Sequence, residues 1–132
     1  QVTVGSSNVA IGRGALEQDT KGSKTVAIGQ GTLNAQNFTT ATDSFNTAVG
    51  HNAGVAVTTG ASNTLIGALA GDALTTGDNN SVLGKSALSA ATKSDRNVAV
   101  GKDALTTLNH TTPSWSCYDH GCQQHSYGGT CW

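Results

Sequence analysis

A short motif that returns six times constrains this chain more than any other feature. Asn8-Val-Ala-Ile-Gly12, Thr25-Val-Ala-Ile-Gly29, Asn46-Thr-Ala-Val-Gly50, Asn63-Thr-Leu-Ile-Gly67, Asn80-Ser-Val-Leu-Gly84 and Asn97-Val-Ala-Val-Gly101 are copies of one unit. Their glycines lie 17, 21, 17, 17 and 17 residues apart. Self-similarity at a fixed short period marks a solenoid, in which each repeat is one coil stacked on the last. The 21-residue interval holds a four-residue insertion, placed within 37–45, where both phenylalanines lie.

Read position by position, the unit is a β-solenoid coil. A large aliphatic residue precedes every glycine: Ile11, Ile28, Val49, Ile66, Leu83 and Val100. Two residues earlier stand Val9, Val26, Thr47, Thr64, Ser81 and Val98, so alternation puts both rows on one face of a short strand. The opposite face carries Ala10, Ala27, Ala48, Leu65, Val82 and Ala99. A strand that is apolar on both faces is buried on both. The large rows are expected to fill the coil and the alanine row to meet a closely approaching partner. In the alternative, a single-chain solenoid packs the alanine row against its own second strand, formed by the Ala-Leu or Ala-Gly pair that starts three residues after each glycine. The strand-end glycine suits a tight turn with positive φ. Asn8, Asn46, Asn63, Asn80 and Asn97 share one register, Thr25 being the exception, and stacked Asn side chains can bond from coil to coil. Eight residues past each glycine come Thr20, Asn37, Thr58, Thr75, Thr92 and Asn109, a second polar row placed in loops. Six coils at about 4.8 Å each give a rod section on the order of 30 Å long.

Composition agrees with a fold held by small residues and backbone bonds. Only 36% of residues are hydrophobic, 11% charged and 5% aromatic, with no Met. The formal net charge of −1 does not supply the self-repulsion typical of disordered chains. No basic patch suggests nucleic acid, no apolar run approaches a membrane span, and no signal-peptide pattern opens the chain. A start at Gln1 is expected of a processed or excised segment.

The unit N-[TSV]-[AVL]-[IVL]-G-x-x-A-[LG] over about residues 8–108 resembles two related repeat classes. One is the left-handed parallel β-roll in the heads of trimeric autotransporter adhesins. The other is the N-T-A-V-G-x-x-A-L repeat of phage tail-fibre and tail-spike proteins. The resemblance implies an all-β homotrimer of about six coils of roughly 17 residues, with three coils packed around an axis and the alanine row facing it. The end of the chain departs from both classes in its cysteines, since adhesin heads are nearly free of Cys, and the segment is expected to cover the shaft without the chaperone domain or membrane-anchor barrel of those classes.

Residues 109–132 form a Cys- and aromatic-rich cap or tip, distinct from the rod of residues 1–108. Both Trp, both Tyr, all three Cys, three of the four His and Pro113 fall here. Cys117, Cys122 and Cys131 are disulfide candidates, an odd count that leaves one thiol free or paired between chains. Cys117, His120, Cys122 and His125 have ligand types suited to zinc, without a standard finger spacing. Trp115, Tyr118, Tyr127 and Trp132 could stack on sugar rings or plug the open end of the last coil. Asn37, Asn79 and Asn109 open N-glycosylation sequons.

Other signals are weaker. Residues 79–86, ending Gly84-Lys85-Ser86, resemble a phosphate-binding loop with Asn79 where the first glycine should be. Ser116, Asp119 and His120 are triad residue types crowded together without a nucleophile elbow. The acids Glu17, Asp19, Asp72 and Asp78 read as solvated loop residues, not glycosidase pairs. The expected function is therefore a structural and adhesive fibre module without cofactor or catalysis, extracellular, on a cell surface or a virion. It would present its loops or tip to a surface or glycan, with no membrane insertion in this segment. The alternatives are a self-assembling extracellular filament, a glycan-binding tip and, remotely, an ice-binding solenoid built on the Thr row.

Overall fold

The computed structural model describes residues 5–108. Each motif copy becomes a three-residue strand: β1 (Val9–Ile11), β3 (Val26–Ile28), β5 (Thr47–Val49), β6 (Thr64–Ile66), β7 (Ser81–Leu83) and β8 (Val98–Val100). They stack in parallel in the order β1-β3-β5-β6-β7-β8. Register follows the motif: Val9 pairs with Val26, Val26 with Thr47, Thr47 with Thr64, Thr64 with Ser81 and Ser81 with Val98. The chain is an all-β parallel solenoid, and no helix occurs among the described residues.

The strand faces are oriented opposite to the sequence expectation. Ala27, Ala48, Leu65, Val82 and Ala99 point into the coil and are 0–1% exposed. The large residues point out: Ile11 is 58% exposed, Leu83 51% and Val100 57%. The reason is the width of the coil. The interior must also hold Leu16, Leu33, Leu88 and the buried Val57, Leu74 and Ala91 from the opposite wall, so the strand contributes small side chains. The alanine row thus packs within its own chain, against the opposite wall of the coil and not against a second strand.

No second strand forms at the Ala-Leu pair. Those residues turn a corner, with Leu16, Leu33, Leu88 and Leu105 at φ between 49° and 55°. Their amides still bind the next coil, as in Leu33 N to Ala53 O at 3.1 Å and Leu88 N to Ala104 O at 2.8 Å. Among the described residues, a second sheet exists only at the insertion, where β2 (Gly22–Ser23) pairs with β4 (Thr42–Asp43). There Phe38 is buried, whereas Phe45 lies outside beneath the Lys24 ammonium, 5.1 Å from the ring centre.

At the corner, coils three and four carry Gly54 and Gly71 where others carry Leu. A Cβ on Gly54 would lie 2.6 Å from Leu65 Cδ1, and one on Gly71 would lie 3.0 Å from Leu65 Cδ2. The strand's one Leu in the alanine row therefore occupies the space the corner leaves empty. Leu65→Ala should cost about 3 kcal/mol through lost burial and an unfilled cavity. Gly71→Leu in that background should return part of it, because Leu already adopts this φ in four other coils. Urea unfolding of the double-mutant cycle checks it, and simple additivity of the two changes would contradict the packing described.

Candidate interaction surface

The interior is not wholly apolar. Asn46, Asn63, Asn80 and Asn97 are buried and form the expected ladder. Asn46 Oδ1 accepts from Asn63 N at 2.9 Å, Asn63 Oδ1 from Asn80 N at 3.0 Å, and Asn80 Oδ1 from Asn97 N at 3.0 Å. The Asn63 and Asn80 Nδ2 groups donate to Gly77 O and Ser94 O. Every buried amide is thereby satisfied by the adjacent coils, which the low-polarity interior requires.

Thr25 interrupts this ladder because its neighbourhood is rebuilt. Gln36 Nε2 donates to Thr25 Oγ1 at 3.2 Å and to Asp19 Oδ2 at 2.7 Å, and Gln36 Oε1 accepts from Asn46 Nδ2 at 2.8 Å. Thr25 Oγ1 and Ser44 Oγ share a bond of 2.5 Å. Asp19 Oδ1 accepts from Gly22 N at 2.9 Å. The expectation of a solvated loop acid fails for Asp19, which is 0% exposed and structural. The signal lay in its column: seven residues past each glycine stand Asp19, Gln36, Val57, Leu74, Ala91 and Leu108, polar only at the two positions on either side of Thr25. Glu17 by contrast points outward and accepts from Asn34 Nδ2 at 2.7 Å. The two acids of that pair face opposite sides of the wall.

Asp78 Oδ1 accepts from Ala61 N at 2.8 Å, and Asp78 N donates to Asp95 Oδ1 at 2.8 Å, so this acid ties neighbouring coils together. Asp72 is partly buried, and its Oδ1 has no partner among the described residues. Desolvation raises its pKa above the ordinary carboxylate value, against the pull of nearby backbone amides.

The phosphate-loop resemblance loses its physical basis. The amides such a loop would offer are used in the stack: Gly84 N donates to Ile66 O and Ser86 N to Ala68 O. The Thr row is also engaged, with Thr58 Oγ1 and Thr75 Oγ1 donating to the Thr75 and Thr92 carbonyls at 3.2 and 2.7 Å. Of the sequons, Asn37 and Asn79 are both exposed. Asn109, Trp115, Cys117, Tyr118, His120, Cys122, His125, Tyr127, Cys131 and Trp132 lie outside the described residues. Among the described residues, no three His, Cys, Asp or Glu side chains gather to hold a metal ion, and no helix is long and apolar enough to cross a membrane.

The most prominent surface feature is the outer face of the six-strand sheet. Ile11, Ile28, Val49, Ile66, Leu83 and Val100 form one unbroken aliphatic ladder. Beside it runs Val9, Val26, Thr47, Thr64, Ser81 and Val98, also uncharged. Val9, Ile11, Ile66, Leu83, Val98 and Val100 are each at least 38% exposed. A contiguous apolar stripe of this length marks an interaction site, unlike scattered surface hydrophobics. Sequence reasoning found these residues and placed them inside. No family model, curated protein or solved structure matches the chain.

Proposed function

We propose that the chain is a structural and adhesive fibre module: a rigid rod of stacked coils that joins two identical copies along the outer aliphatic ladder. The observation that carries this reading is the uncharged ladder itself, continuous over all six strands. A partner for a surface that repeats about every 4.8 Å must offer the same repeat, and another copy of the chain does so without further design. The resemblance to adhesin-head and tail-fibre repeats sets the number of copies at three. The ladder, and not the alanine row, then faces the axis.

In this reading the molecule has no catalytic role. Its work is to hold loops and tip at a distance from a cell surface or virion, outside the cell, for attachment to a host or surface. The interior supports that task, because hydrogen bonds tie each coil to the next and resist shear along the rod.

The test is a pair of substitutions on the ladder. Ile66→Glu/Leu83→Glu places two like charges at positions that are solvent-facing in the single chain, so each copy should keep its β-sheet circular dichroism. Assembly should fall to single chains by sedimentation velocity, since burying unpaired carboxylates on an apolar face is strongly unfavourable. Lys85→Glu/Lys102→Glu, on another row, should leave assembly unchanged. Persistence of the oligomer in the ladder variant would contradict the reading.

A further inference from the structure

Two residues past each strand-end glycine, the backbone is left-handed in every coil: Gly14, Gly31, Asn52, Leu69, Ser86 and Asp103 have φ between 53° and 70°. Asn, Leu, Ser and Asp all occupy this corner, so its conformation does not demand glycine. What sets Gly14 and Gly31 apart is the side chain they lack. Beside them runs an open groove of about 490 Å³ across the first three coils, with the side-chain ends of Asn34, Glu17 and Asn52 standing over the two glycines. That volume lies within the range of small-ligand sites.

The lining has a definite chemistry. Arg13 and Gln30 stand on one side, in consecutive coils of one row, and Glu17, Asn34 and Asn52 complete the polar set. Asn34 Nδ2 donates to Gly14 O at 3.0 Å and to Glu17 Oε2 at 2.7 Å, which fixes that carboxylate beside the groove. Arg13 has no ion-pair partner among the described residues. Val55 supplies an apolar patch. One cation, one carboxylate and three amides give paired donors and acceptors with balanced charge. A polyanion such as a nucleotide would meet Glu17, and a metal ion would find a single carboxylate. From these features we infer that the groove binds a neutral, polyhydroxylated oligosaccharide, whose hydroxyls both donate and accept and whose C–H face can rest on Val55.

The inference deepens the adhesive reading and rests on it only for the purpose of the site. One shallow groove binds weakly, and three copies on one rod would raise the avidity. The experiment is a titration of the isotopically labelled full chain with neutral glucose, galactose and N-acetylglucosamine oligomers, followed through the amide resonances of Gly14, Gly31 and Asn34. A soluble oligogalacturonate serves as the anionic arm. At least one neutral oligomer should shift these resonances saturably. Arg13→Ala should weaken that binding by about tenfold. Gly14→Ser/Gly31→Ser should abolish it while keeping the fold, since Ser86 already takes this φ and the atoms in the way belong to the far ends of the Asn34, Glu17 and Asn52 side chains and not to the backbone. Lys85→Ala should change nothing.

Unmoved resonances with every neutral oligomer, or wild-type binding by the double serine variant, would overturn the inference. Binding confined to the uronate, and lost with added salt, would overturn the neutral assignment. Sugar binding by an unassembled chain would refute the trimeric rod and leave the groove standing. An assembled rod with a silent groove would do the reverse.

Discussion

Gly67→Ala is expected to abolish the folded rod. Gly67 sits at φ +133°, a region that L side chains rarely adopt, and a Cβ there would lie 2.5 Å from Gly84 O and 2.6 Å from Gly84 C. The obstructing atoms are backbone, held at strand spacing by Gly84 N to Ile66 O at 2.8 Å. Neither coil can retreat without opening the ladder that stacks them. The conformational strain alone is roughly 1–3 kcal/mol, and separation of the coils adds to it. Gly101 supplies the control. It has φ +117° with no atom of the described residues within 4 Å of its Cβ site, so Gly101→Ala should lose only the strain. Thermal melts followed by circular dichroism should show Gly67→Ala unfolded, or melting far below Gly101→Ala. Equal melting temperatures would mean that glycine is needed for φ alone and not for close coil-to-coil contact.

Asn80→Ala should be nearly as damaging by a different route. Asn80 Oδ1 accepts from both Asn97 N and Asn97 Nδ2, at 3.0 and 2.9 Å. Its Nδ2 donates to Asn63 Oδ1 and to Ser94 O, each at 2.9 Å. Truncation strips partners from the neighbouring coils in a site with no exposure. Each unsatisfied buried group costs about 1–3 kcal/mol, which places the total on the order of 3–5 kcal/mol. Asn8 makes the same kinds of bond, accepting from Thr25 N and donating to Gly22 O, but is only partly buried. Water can replace its amide, and Asn8→Ala should cost about 1 kcal/mol. Urea unfolding would measure both, and similar losses would contradict the claim that burial makes the ladder strong.

The contrast between these two asparagines shows what a repeat discloses. The period located the six strands of the main sheet and their register, though not β2 and β4, and the shared Asn position announced a ladder that the structure contains. The direction of the strand faces was hidden, because Val9 and Ile11 on one side and Ala10 on the other are all apolar, and alternation alone cannot say which side is enclosed. The width of the coil decides that, and width depends on what the opposite wall contributes. Leu16 and Leu33 at positive φ were hidden as well. Rules for left-handed corners favour Gly and Asn, yet burial of the leucine side chain outweighs the local cost. Asp19 read as a loop acid until its column showed Gln36 one coil on. The groove was invisible for a similar reason: Gly14 and Gly31 look like turn residues until the other four coils show that the turn needs no glycine.

The central claim is that identical chains meet on the outer aliphatic ladder, and the mass of the native particle addresses it most directly. Native mass spectrometry of the full chain should give a species of three times the 13.3 kDa chain mass. A particle of single-chain mass, with its β-sheet signal intact, would contradict the claim and leave the exposed ladder in need of another partner.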